Sequence, residues 1–143
     1  MDIVQILLND GRADPSVKDN FAICYVAYMN YVDIAKVLLR DPRVDPSANN
    51  NLALLLSCTQ GFSEMVRLLL SDARVDPAVD RYFGLRYAVA KGYTEIVKIF
   101  LKQDRVDISI LGNECVFMAA HFKHYTILKL LLQNPTKLSF KEE

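Results

Sequence analysis

Apolar positions along this chain fall into two alternating helical patterns that return at a fixed interval. From Leu52 to Gln60, Ala53, Leu54, Ser57 and Cys58 lie on one side, the i, i+1, i+4, i+5 spacing of a helix with one buried face. The same register returns at Ala22, Ile23, Val26 and Ala27, at Gly84, Leu85, Ala88 and Val89, and at Cys115, Val116, Ala119 and Ala120. These residues are mostly small, which lets neighbouring helices approach closely. A second helical pattern follows each stripe: DIAKVLL (Asp33 to Leu39), EMVRLLL (Glu64 to Leu70), EIVKIFL (Glu95 to Leu101) and ILKLLL (Ile127 to Leu132). Asp33, Glu64 and Glu95 open it with the charge a helix N-terminus favours. Between the two helices Gly61 and Gly92 suit a left-handed residue, with Asn30 a tolerable substitute and Lys123 a poor one.

Asp14, Asp45, Asp76 and Asp107 stand 31 residues apart, the first three inside the related phrases RADPSVKDN, RVDPSANNN and RVDPAVDRY. A fixed period of that size is the mark of a repeat architecture. Four repeats follow, 14–44, 45–75, 76–106 and 107–137, with a tail at 138–143. Half a repeat, 1–13, leads them, because DIVQILL (Asp2 to Leu8) matches the second helices. Each repeat reads as helix, tight turn, helix, then an extended crossing segment carrying Asp-Pro-Ser or a variant of it. Pro42 and Pro135 stop two of the second helices. One helix pair cannot cover its own apolar face, whereas stacked neighbours bury a continuous core. The prediction is a single domain over 1–143, an all-α helix-turn-helix repeat solenoid. Ile3, Val4, Ile6 and Leu7 lead without a first helix to cover them, and Ile127, Leu128, Leu130 and Leu131 close without a polar cap. The chain is therefore expected either to continue into further repeats or to self-associate end to end.

These residues resemble the ankyrin repeat, and the resemblance spans essentially the whole chain. GFSEMVRLLLSDA (Gly61 to Ala73) and KGYTEIVKIFLKQD (Lys91 to Asp104) are similar to that family's second helix, and AVAKG (Ala88 to Gly92) to its inter-helix turn. The family's Thr-Pro-Leu-His start is replaced by Phe21 to Cys24, Leu52 to Leu55, Phe83 to Arg86 and Glu114 to Phe117. The period is two residues short of the usual 33, in a form similar to arrays of protists and large DNA viruses. The connection after the second helix is longer, and the segment before the next first helix shorter, than in the family, which argues against long β-hairpin fingers. The resemblance implies a noncatalytic module whose partner is another protein.

Charge and cysteine content narrow the setting. Lysine plus arginine and aspartate plus glutamate both number 17, so the basic excess that drives nonspecific nucleic-acid binding is missing. MDIVQILLND carries an aspartate where a secretory signal carries positive charge, and its apolar run is too short for a membrane span. Cys24, Cys58 and Cys115 cannot all pair within one chain and show no ligand spacing. A reducing, cytoplasmic setting is expected, with no nucleic-acid and no membrane partner.

Candidate chemistry is sparse. His121 and His124 lie three apart with no carboxylate or cysteine at ligand distance, so no metal site is assigned. There is no nucleophile elbow and no glycine-rich phosphate loop, and Cys24 reads as a structural thiol. No catalytic residue and no cofactor is expected. Arg12, Arg43, Arg74 and Arg105 recur with the period and read as inter-repeat ties pinning each corner; Lys36, Arg67, Lys98 and Lys129 read as an outer solvated stripe. The opposite face of the first helices carries more information. Phe21, Tyr25 and Tyr28, Leu52, Leu56 and Thr59, Phe83, Tyr87 and Ala90, and Glu114, Met118 and His121 form a row that stacking would place on the concave side. Gln60, Arg81, Tyr82, Arg86, Lys91 and Phe122 would rim it. Aromatic, methionine and arginine side chains are enriched at interface centres, so this row is the predicted protein-binding surface. The alternative is a structural spacer in a longer array, with no partner site of its own.

Overall fold

The computed structural model describes residues 3–111 and 113–134, and among these it contains α-helices and one 3-10 turn but no strand. The chain divides into two compact units, 1–76 and 77–143. The division falls on the Asp76–Pro77 corner, at a repeat boundary.

The first unit holds α1 (Ile3–Asn9), α2 (Val17–Tyr28), α3 (Val32–Arg40), α4 (Ala48–Gln60) and α5 (Ser63–Leu70). Here α2 packs on α4, while α1, α3 and α5 pack in succession, so first helices form one layer and second helices another. The second unit holds α6 (Val79–Lys91), α7 (Thr94–Lys102), a 3-10 turn (Ile108–Leu111), α8 (Glu114–His121) and α9 (Tyr125–Leu132), with α6 on α8 and α7 on α9. Second helices start at Val32, Ser63, Thr94 and Tyr125, on the 31-residue interval.

The stripes form the core. Ala53, Leu54, Ser57 and Cys58 are buried, as are Ile23, Val26 and Ala27, Gly84, Leu85, Ala88 and Val89, and Cys115 and Ala119. Ala22 and Val116 are only half-buried and Ala120 is exposed. On the last helix Ile127 and Leu131 are fully buried, Leu128 and Leu130 half-buried and Leu132 exposed; at the start Ile3, Ile6 and Leu7 are exposed. Pro135 and the tail lie outside the described residues.

Each helix pair turns through one closure. Asn30, Gly61, Gly92 and Lys123 all have positive φ. The N–H of the residue after each reaches back to close the first helix: Tyr31 to Val26 O, Phe62 to Ser57 O, Tyr93 to Ala88 O and His124 to Ala119 O, at 2.9, 3.0, 2.9 and 2.9 Å. Six-residue closures of this kind satisfy carbonyls that a helix end otherwise leaves open. Lysine occupies the left-handed position in the last repeat without loss of the closure.

The corner differs from the extended crossing segment expected. The side chains of Asp14 and Asp45 each accept two hydrogen bonds, from the N–H (2.9 and 2.9 Å) and hydroxyl (2.6 and 2.6 Å) of Ser16 and Ser47. Aspartate in this role stabilises a tight turn. Pro15, Pro46 and Pro77 are buried. Three consecutive left-handed residues follow, Lys18 to Asn20, Asn49 to Asn51 and Asp80 to Tyr82, so the right-handed helices begin only at Phe21, Leu52 and Phe83. In the last repeat Ile108 replaces the proline, and Asn113, at the matching position, has φ −93°.

What holds such a turn is the next corner. Asn20 Oδ1 accepts the Asp45 N–H at 2.7 Å, Asn51 Oδ1 the Asp76 N–H at 2.8 Å, and the Tyr82 hydroxyl the Asp107 N–H at 2.8 Å. Two of the four arginines tie repeats together, with a different acidic partner from the one expected: Arg43 and Arg74 ion-pair within their own corner, with Asp41 and Asp72. Each also donates to the preceding repeat, Arg43 to Ala13 O (3.0 Å) and Leu8 O (3.2 Å), Arg74 to Val44 O (2.6 Å).

This clasp titrates. Hydrogen bonds from the Arg43 side chain and backbone lower the Asp41 carboxyl to about 2. An aspartate in an unfolded chain titrates near 4, so the clasp contributes fully above about pH 4 and is lost as pH falls toward 2. The thermal midpoint is expected to fall across that interval, with a smaller fall for Asp41→Asn. An equal fall in the variant, followed by circular dichroism, would rule out the clasp as a contributor.

Candidate protein-binding groove

The predicted row divides sharply between the two units. On α2, Phe21, Tyr25 and Tyr28 are 57%, 46% and 49% exposed, at the i, i+4, i+7 spacing of one helix face. Phe21 and Tyr25 stack with centroids 5.8 Å apart. Together with Leu52 and Leu56 of α4 they line an apolar groove of ≈ 330 Å³. Cys24, nearly buried, also lines it, and so do Lys18 and Asn49, both from left-handed turns. The Asn49 amide donates to Asp19 O at 3.2 Å, which ties the two turns together.

In the second unit the corresponding side chains are occupied with one another. Phe83 and Tyr87 are half-buried and in contact, with Tyr93 against Tyr87 and the Lys91 ammonium 5.7 Å from the Tyr87 ring centroid. Arg86 donates to Asp80 O (3.2 Å) and Arg81 O (3.0 Å) and lies 3.5 Å from Glu114. It staples the left-handed turn. Arg81 is exposed, 3.9 Å from the same carboxylate. Tyr82, placed on the rim by its position, is instead 3% exposed, because its hydroxyl points inward to the Asp107 N–H. Met118 is half-buried; Gln60, His121 and Phe122 are exposed, with His121 and Phe122 edge to face.

Sequence reasoning missed Lys18, Cys24 and Asn49 as groove residues. Cys24 belongs to a helix whose pattern placed it near the core, and the other two reach the groove only because the backbone turns left-handed. It also missed Phe117, which is 72% exposed on α8.

The site offers little for catalysis. Burial raises all three thiols, Cys58 to about 12 and Cys115 to about 11, which disfavours the thiolate that a nucleophile needs. Among the described residues no three of His, Cys, Asp and Glu gather at metal-binding distance. His124 Nε2 lies 3.0 Å from Ala90 O and its ring covers Gly92, a structural contact. No described helix is long and apolar enough to cross a membrane.

Paired helices recurring every 31 residues, closed by left-handed turns and tied corner to corner, define an all-α helical repeat protein. A family model of ankyrin repeats in three copies matches residues 1–81, and the chain belongs to the ankyrin repeat family. No curated protein and no solved structure matches it. Ankyrin repeats are generally protein–protein interaction modules and typically noncatalytic.

Proposed function

We propose that this chain is a noncatalytic module that binds a partner protein, with the groove between α2 and α4 as its main contact. The observation that carries this reading is the open aromatic face of α2. Phe21, Tyr25 and Tyr28 are held on one helix, beside Leu52 and Leu56, and stay exposed, whereas Phe83 and Tyr87 on α6 are half-buried, with Tyr93 and Lys91 against Tyr87. Large apolar side chains left open on a rigid element mark contact surfaces. Because the helices are already folded and the rings already aligned, little conformational entropy is lost on docking.

The test is affinity capture with the native chain and with the triple variant Phe21→Ala, Tyr25→Ala, Tyr28→Ala. All three side chains point away from the core, so the variant is expected to keep its helical circular dichroism. Capture of the specific partner should weaken more than tenfold. Undiminished capture would favour the spacer reading, in which the array supplies length alone.

A further inference from the structure

The groove has a polarity that its apolar lining does not explain. Its walls are Phe21, Tyr25 and Tyr28 on one side and Leu52 and Leu56 on the other, and a single formal charge, Lys18, stands at the end where the left-handed turn enters α2. No carboxylate lines it, although Asp19 is next in the chain. Lys18 is exposed, whereas Arg12, Arg43, Arg74 and Arg86 are committed to ion pairs. Its placement is a consequence of the fold. With φ 53° and ψ 52°, Lys18 belongs to the left-handed turn rather than to the right-handed helix that begins at Phe21.

Resting on the reading of the groove as a protein contact, we propose that its partner is a protein segment carrying one large apolar anchor side chain with an Asp or Glu close by in sequence. The anchor enters between Tyr25, Tyr28, Leu52 and Leu56, and the carboxylate lies against the Lys18 ammonium. The volume, ≈ 330 Å³, suits one aromatic or two aliphatic side chains. Asn49, whose amide donates to Asp19 O, lines the same groove and holds its wall in place. Opposite charge at the rim of an apolar contact selects among partners more than it adds affinity, so Lys18 sets specificity while the aromatic rings supply binding.

The test pans a phage-displayed library of random heptapeptides on the full chain, with the Phe21, Tyr25, Tyr28 triple alanine variant as the subtraction surface. Peptides that depend on the three rings are expected to share a large apolar residue and an Asp or Glu within two or three positions of it. Those peptides, resynthesised, should bind Lys18→Gln about two- to fivefold more weakly, the range of an exposed ion pair, and Lys18→Arg undiminished. Replacing the peptide acid by its amide should cost the native chain the same factor and cost Lys18→Gln nothing. Apolar anchors without an acidic preference, or a preference that survives Lys18→Gln, would overturn the acidic-partner inference and leave the groove standing as an apolar contact. A library yielding no ring-dependent peptide would sink both together.

Discussion

Asn51→Ala is expected to destabilise the first unit by about 2 to 5 kcal/mol, a large effect for a position two residues outside the apolar stripe. Asn51 has φ 59° and is 7% exposed. Two costs combine. Left-handed backbone costs a residue with a Cβ about 1 to 2 kcal/mol, which asparagine offsets through its short polar side chain and alanine does not. The Asp76 N–H, bonded to Asn51 Oδ1 at 2.8 Å, also loses its acceptor, and an unsatisfied, partly buried donor costs about 1 to 3 kcal/mol. Asn51→Gly separates the two, since glycine adopts the same backbone freely but has no acceptor. It is expected to fall between native and Asn51→Ala in urea unfolding, with faster exchange of the Asp76 amide hydrogen. If glycine restores native stability, the tie between corners carries nothing; if it is as damaging as alanine, the backbone conformation costs nothing.

Gly92→Ala should cost about 2 to 3 kcal/mol, for a reason the sequence does not display. Gly92 has φ +78°, and a Cβ there would stand 2.8 Å from His124 Cε1 and 2.9 Å from Nδ1. The imidazole would have to move, breaking the 3.0 Å contact of Nε2 with Ala90 O. Lys123 shows that a side chain is tolerated in the equivalent backbone conformation, at φ 60°. The expected loss at Gly92 therefore comes largely from crowding by His124. In a His124→Ala background the same substitution should cost only the backbone term, about 1 kcal/mol. Strictly additive losses in the double-mutant cycle, measured by chemical denaturation, would refute the contact.

The helices and the closures between them were legible because they depend on local signals. Ala53, Leu54, Ser57 and Cys58 announced a buried helical face, and Asn30, Gly61, Gly92 and Lys123 a left-handed turn, the last against its own preference. The corners were not legible. Asp19 and Asn20 each tolerate left-handed backbone, but nothing local dictates three such residues in succession at Lys18, Asp19 and Asn20. Bonds to the next repeat hold the conformation: Asn20 Oδ1 to the Asp45 N–H, 25 residues away, and the Asn49 amide to Asp19 O. Tyr82 was misread for the same cause: an aromatic next to a surface row looks like rim until its hydroxyl is seen to replace the asparagine amide.

The candidate site was half legible. Helical spacing put Phe21, Tyr25 and Tyr28 on one face, and also Phe83 and Tyr87, with no means of telling the two sets apart. Tyr93 and Lys91 against Tyr87 leave the second set half-buried.

The amino-acid sequence alone determined the 31-residue interval, the two helices within it and the stripe each buries, because periodicity and glycine placement act over a few residues. Tertiary structure alone decided the left-handed corners, the inward turn of Tyr82 and the exposure of Phe21, Tyr25 and Tyr28. Those features depend on which donor finds which acceptor, and which ring finds a neighbour, between residues that only stacking brings together.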